Sequence, residues 1–206
     1  MRILLFLLIS NFHLYGYDLD HPKYELIQKA LVEEHNFSAE EIKLIIGQAE
    51  KQQKIIDSMN SPAEFTWTWD RYRKLFIEPK RIKNGKLFIK NNLETLERAE
   101  AQFGVPKEVI TAILGVETRY GKIMGSYRVL DALSTLSFDY PRRSNFFSQE
   151  LINLLLLARE NNLDVYKLKG SYAGAMGYGQ FIPSSYRAYA RESGETFISL
   201  SGINAP

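Results

Sequence analysis

Apolar residues in this chain recur three and four positions apart in block after block, and that spacing commits most of it to helices with one buried face. Pro22 suits the first turn of a helix that carries Leu26, Ile27, Ala30 and Leu31 on one side. Ser38-Ala39-Glu40-Glu41 is a capping box, whose serine and glutamate satisfy amides left unpartnered at a helix start. Behind it Ile42, Ile45, Ile46 and Ala49 share a face. A second helical block covers 80–103, with Leu87, Phe88, Leu93 and Leu96, and Gly104-Val105-Pro106 ends it. Further helices are predicted over 127–137, 142–162 and 184–192. Residues 60–69, with Pro62, Trp67 and Trp69, read as a break, and a short ribbon is expected near 170–180. The expected fold class is all-α, mainly helical, with irregular loops.

Composition removes several function classes. The 206 residues fit one domain, and 45% hydrophobic residues supply a sizeable core. There is no cysteine, so disulfide scaffolds, thiolate metal sites and cysteine nucleophiles are excluded. The three histidines, His13, His21 and His35, sit near the N-terminus, far from any other functional signal. With 26 Lys and Arg against 24 Asp and Glu, the net charge of +2 argues against a nucleic-acid partner but tolerates an anionic polymer such as a cell wall. Arg2 precedes the seven-residue apolar run Ile3–Ile9, too short to span a bilayer. With small or polar residues near Gly16, residues 1–16 read as an export signal, the alternative being a buried first helix or strand. No cysteine follows to carry a lipid anchor, so the expected product is exported and soluble.

The most informative stretch is Val105–Gly121. Pro106 suits the first helical position and Gly121 the residue just past the last turn. Ile110, Ile113 and Leu114 form a stripe, and Glu117 continues it. A carboxylic acid at the edge of a buried face holds its proton, because burial disfavours the charged form, and can deliver it to a leaving oxygen. The alternative is a helix-end glutamate that reaches solvent or pairs with Arg119 or Lys122.

Lys169–Pro183 places four glycines among small, polar and aromatic side chains. The Gly-Lys-Ser/Thr ending of a phosphate loop is absent. Tyrosines and Phe181 offer flat apolar surfaces for sugar rings, while Ser171 and Gln180 offer hydrogen bonds to hydroxyl and acetamido groups. A plain structural turn region is the alternative.

Three blocks in order, Gly115–Gly121, Leu130–Arg143 and Gly174–Tyr186, resemble the membrane-bound lytic murein transglycosylase B family. The similarity runs from about Tyr72 to Tyr189 and more weakly back to about residue 25. It implies a lysozyme-like helical domain with a groove for glycan strands, in the periplasm. It also implies cleavage of the β-1,4 bond between N-acetylmuramic acid and N-acetylglucosamine, the muramyl 6-hydroxyl closing a 1,6-anhydro ring. On the matching positions, Glu117 is the expected catalytic acid and then base. Ser171 and Gln180 are groove residues near the cleaved bond, and Tyr72 contacts sugar. Arg142 and Arg143 are placed to meet stem-peptide carboxylates, although alone such a pair is more often solvated surface charge. The expected partners are therefore peptidoglycan glycan strands and stem peptides, with no cofactor.

Ordinary glycoside hydrolases use two carboxylates. Asp131 and Asp139 are the candidates for a second, with simpler readings as a helix-face charge and a turn residue. Two departures from the family pattern remain. Residues 191–200 keep Glu192 and Glu195 but lack the Asp-x-Asp pattern of a calcium loop, so no metal is expected. The resemblance also implies a further helical segment, so residues 17–206 read as a domain incomplete at its C-terminal end. A non-catalytic peptidoglycan-binding remnant, or a muramidase using water, are the competing readings.

Overall fold

The computed structural model describes residues 17, 19–61 and 67–190. The predicted export signal, Pro62, and Glu192 and Glu195 with the rest of the C-terminal stretch lie outside the described residues.

Helix α1 (Pro22–His35) starts at its proline, with the His21 ring accepting the Lys23 amide at 3.1 Å. Ser38 caps α2 (Ala39–Ile46) by accepting the Glu41 amide, the serine half of the expected capping box, while the Glu41 carboxylate pairs with Arg159 at 2.7 Å. Then follow α3 (Gln53–Asn60), α4 (Trp69–Phe76), α5 (Pro79–Asn91), α6 (Leu93–Phe103) and α7 (Lys107–Thr118). Strand β1 (Tyr127–Arg128) leads into α8 (Val129–Asp139), a 3₁₀ turn (Pro141–Arg143) and α9 (Ser144–Glu160). Strand β2 (Lys169–Gly170) and α10 (Pro183–Tyr189) complete the described chain.

Four sequence expectations need correction. The block 80–103 is two helices, broken at Asn92, whose side-chain amide folds back to the Phe88 carbonyl at 2.8 Å. The break near residue 60 is shorter than expected, because Trp69 already begins α4. The expected ribbon is two separate features. Lys169–Gly170 pairs antiparallel with the distant Tyr127–Arg128, and 176 meets 181 in a single bridge. Lastly, the α7 stripe is not buried: Ile113 is 52% exposed, and the packed positions are Thr111, Gly115 and Thr118. Small residues sit there because α7 approaches α5 closely around Tyr120. A Cβ on either Gly85 or Gly115 would come within 2.7 Å of the Tyr120 hydroxyl, which donates to the Arg81 carbonyl at 2.8 Å.

The core lies elsewhere. Every residue of α8 from Val129 to Phe138 is buried, and α9 packs along it through Leu151, Leu154 and Leu155. Ile27 and Leu31 of α1, Ile42 and Ile46 of α2, and Ile55 of α3 close the other sides. None of the described core cluster comes from α4–α7. Helix α10 lies on α9, where the Glu150 carboxylate accepts the Ser184 amide at 2.9 Å. Tyr186 is buried and donates to the Met176 carbonyl at 3.1 Å, tying α10 to the glycine-rich loop.

Burial pushes the Tyr186 phenol up to about 12. An unfolded tyrosine ionises near ~10. The stability from keeping Tyr186 neutral is therefore present below pH ~10 and lost as pH rises towards ~12. Urea unfolding across that window should show Tyr186→Phe losing about 2–3 kcal/mol less stability than the parent. Equal losses would mean that this hydroxyl is not held neutral by the fold.

Candidate functional site

Glu117 is the penultimate residue of α7 and is exposed. The burial expected from the apolar stripe is thus not found among the described residues. Of the alternative, a helix-end glutamate that reaches solvent or pairs with Arg119 or Lys122, the exposed position holds and the ion pair is not found among the described residues: Arg119 turns to Glu78, 3.7 Å away. Among the described residues no hydrogen bond or ion pair engages Glu117, which leaves its carboxyl group free for an incoming molecule.

Beyond Glu117 the chain makes an unusual turn. Arg119, Tyr120 and Gly121 have φ of 50, 64 and 82° in succession, so the helix ends at Thr118, three residues before the glycine expected to end it. Thr118 organises this turn. Its hydroxyl accepts the Gly121 amide at 2.9 Å and reaches the Tyr178 carbonyl at 3.0 Å, in the glycine-rich loop. Gly121 has to be glycine, because its Cβ would fall 1.9 Å from the Tyr178 ring. A second tie runs from the Gln180 side-chain amide, which donates to the Met124 carbonyl at 3.2 Å and to the Gly177 carbonyl at 3.0 Å. The end of α7 is thereby clasped to the loop one residue after Glu117.

Within the loop, Ser171 closes a tight turn: its Oγ accepts the Ala175 amide at 3.1 Å, and its own amide donates to the Ala175 carbonyl at 2.8 Å. Phe181 is partly exposed, with its backbone paired to Met176 and its ring edge-on to Tyr186 at 5.6 Å. Ser171, Gln180 and Phe181 therefore share one rigid loop, and Thr118 joins that loop to the Glu117 helix.

Arg142 and Arg143 sit in the 3₁₀ turn and line a groove of about 1180 Å³ with Tyr172, Ala173 and Ile182 of the loop region. The Arg143 guanidinium stacks 4.1 Å from the Phe146 ring. Among the described residues neither arginine is in an ion pair, so both charges are available to an anion. Tyr72 stands apart on α4, its ring 5.0 Å from Phe76 and 6.2 Å from Trp69, and no described contact ties it to the loop.

The two aspartates considered as second carboxylates are committed to the fold. Asp131 is buried, receives the Arg128 side chain at 2.9 and 2.5 Å, and accepts the Glu50 amide at 2.8 Å. Asp139 pairs with Lys51 and accepts the Tyr17 hydroxyl at 3.0 Å. Thr118 and Glu150 are the residues that sequence reasoning missed. A threonine next to a helix-end glycine was the available signal for the first, and a glutamate inside a leucine-rich helix for the second.

The family model for the transglycosylase SLT domain matches residues 20–196. Membrane-bound lytic murein transglycosylase B of Escherichia coli (strain K12) is 44% identical over 191 residues, 88% of this chain and 53% of that protein. This chain thus spans about half the length of that relative. The Escherichia coli lytic transglycosylase SLT35, solved in complex with bulgecin A, superposes with a TM-score of 0.82 at 42% identity. That match covers 95% of this chain and 64% of the other. SltB3 from Pseudomonas aeruginosa, solved in complex with NAG-NAM-pentapeptide, gives 0.75 at 26% identity, over 88% of this chain and 49% of the other. The mainly helical, lysozyme-like fold expected from the sequence is the fold shared with these structures.

The clasp can be tested directly. Thr118→Val keeps the shape but leaves the Tyr178 carbonyl and the Gly121 amide without this partner, and should cost about 1–3 kcal/mol. Hydrogen exchange should speed up at the amides of Gly121 and 177–181 more than at those of α8 and α9. Uniform acceleration across the chain would show that Thr118 is an ordinary core residue.

Proposed function

The chain belongs to the transglycosylase SLT domain family, and on that premise we propose that it is a peptidoglycan lytic transglycosylase in which Glu117 acts first as acid and then as base. One observation carries the reading: an exposed glutamate, unengaged among the described residues, whose neighbour Thr118 is bonded to a polar, aromatic loop, while Asp131 and Asp139 are tied up as structural ligands. The relatives' names and bound molecules point to the same substrate, the glycan strand of the cell wall.

The steps balance without water. Glu117, protonated, gives its proton to the glycosidic oxygen as the bond from the muramyl anomeric carbon to that oxygen breaks. N-acetylglucosamine leaves with a free 4-hydroxyl. The muramyl 6-hydroxyl oxygen then bonds to the anomeric carbon, and its proton passes to the Glu117 carboxylate, which restores the acid. The hydroxyl belongs to the same sugar, so its effective concentration exceeds that of water when the ring is held in place. In this reading Ser171 and Gln180 hold the sugar beside Glu117, and Phe181 and Tyr72 offer faces for ring packing. Arg142 and Arg143, free of ion pairs and beside the large groove, receive stem-peptide carboxylates. The export signal in residues 1–16 would deliver the protein to the periplasm, where this substrate lies; no helix of the described residues is long and apolar enough to cross a membrane.

Mass spectrometry of the soluble products from purified peptidoglycan tests the proposal. The parent should release 1,6-anhydromuropeptides, and Glu117→Gln should lower their rate by a factor of about 10²–10⁴. Asp131→Asn and Asp139→Asn should lose stability yet still yield anhydro products. Reducing-end products would replace the reading with hydrolysis. Glycan binding without any product, unchanged in Glu117→Gln, would replace it with a binding protein.

A further inference from the structure

Behind the helix end that carries Glu117, and away from the glycine-rich loop, the helix pair α5 and α7 borders a cleft of about 320 Å³. Its walls are mostly apolar, from Phe76, Ile82, Ile89, Ala112 and Val116, and Glu117 is not among its lining residues. Tyr120 acts as the strut that sets its width, its hydroxyl wedged against Gly85 and Gly115 and bonded to the Arg81 carbonyl. The cleft is therefore a feature of rigid packing between two helices, and its volume lies at the low end for small-molecule sites.

Two polar groups lining it lack the partners that burial demands. Arg81 is 9% exposed, its guanidinium lies 5.2 Å from the Phe76 ring, and among the described residues its Nε and Nη1 make no hydrogen bond; Thr111 is 3% exposed, and its hydroxyl has no described partner either. The nearest carboxylate to Arg81 is Glu78, whose oxygen lies 3.7 Å from Nε, beyond hydrogen-bond reach, and 3.7 Å from Arg119. A buried guanidinium with two unbonded nitrogens is costly, and the group that satisfies it best is a planar carboxylate. The apolar walls reject a heavily hydroxylated sugar, and Arg81 rejects a cation. Lys86 and Glu108 also line the cleft, with opposite charges.

The geometry points to a binding site for a carboxylate carried on a short apolar stem, held by Arg81 and Thr111 between α5 and α7. Glu117 does not line this cleft, and the assignment does not depend on the glycan reading. Its chemistry is that of a small acyl amino acid or the free C-terminus of a peptide ending in a small apolar residue. Glu78 guards the site: like in charge to a ligand carboxylate, it has to lean from Arg81 to Arg119 when the ligand enters.

N-acetylalanine and its neutral amide are the probes, titrated into the intact chain and followed by the amide resonances of Gly85 and Ala112. The acid should bind with a Kd of about millimolar, as suits a ligand of so few atoms. The amide should bind at least ~10-fold more weakly. Arg81→Met, which removes the guanidinium and keeps an unbranched apolar stem, should weaken the acid by at least ~10-fold, measured on protein whose circular dichroism matches the parent. Glu78→Gln, which leaves the floor of the cleft intact, should tighten the acid several-fold and leave the amide alone. Equal binding of acid and amide, acid binding unaffected by Arg81→Met, or weaker acid binding in Glu78→Gln would each overturn the assignment. So would the absence of any shift on α5 and α7 of the folded protein, which would leave water as the partner of Arg81.

Discussion

Helix α8 has no solvent face, so each polar group along it needs a partner inside the protein, and those partners hold the rest of the chain in place. Asp131 takes the Arg128 side chain and the Glu50 amide. Thr135 takes the Gln52 amide and the Tyr17 hydroxyl. These bonds fix residues 48–52 and the start of the described chain against the central helix. On its other side, the Ser137 carbonyl accepts the Ser144 hydroxyl, which sets where α9 begins. Ser134 is the exception, its buried hydroxyl having no described partner. From α9 the dependence passes through Glu150 to the first turn of α10, and through Tyr186 to Met176 in the glycine-rich loop. The loop is rigid because it stands at the end of a chain of bonds that begins on a buried helix.

The unit formed by α5, α6 and α7 meets that framework differently. It contributes nothing to the described core cluster and joins the loop through the turn after Glu117. That turn holds two non-glycine residues, Arg119 and Tyr120, in the left-handed region, at a cost of order 1 kcal/mol each. Tyr120 recovers stability by filling the space between Gly85 and Gly115, and Thr118 by bonding across to Tyr178. Both contacts require the chain to reverse at once rather than extend the helix another turn. The same reversal leaves Glu117 at the helix end, beside the loop but bonded to nothing in it.

These constraints explain what could and could not be read from the sequence. The α8 and α9 helices and the capping box were legible because large apolar residues and a cap motif report themselves locally. Helices α3 and α4 were missed: each spans eight residues, and α4 buries none of them. On α7 the periodicity of Ile110, Ile113 and Leu114 misled, because pattern reading gives weight to bulk, whereas the close approach to α5 selects Thr111, Gly115 and Thr118 for smallness. Glu117, Ser171 and Gln180 stood out through motifs in a fixed order. Their geometric relation did not, since it rests on Thr118 meeting a carbonyl 60 residues away and on Gln180 reaching back to Met124, 56 residues before it.

The fate of the two aspartates bears most on the chemistry. A two-carboxylate mechanism needs a second carboxyl group able to meet a sugar or a water molecule. Asp131 cannot leave its position without unpairing the Arg128 guanidinium and the Glu50 amide beside a buried helix, and Asp139 is held by a lysine and a tyrosine. Their short side chains suit these bracing roles, just as the longer, unengaged side chain of Glu117 suits proton transfer at an open edge. An exposed acid is poorly shielded from water, which taken alone favours hydrolysis. The outcome turns on competition at the anomeric carbon, and there an attached hydroxyl held in register gains several orders of magnitude over solvent. In the proposed reaction the protein therefore has to supply orientation of the sugar more than exclusion of water, and the clasped loop is the element that would supply it.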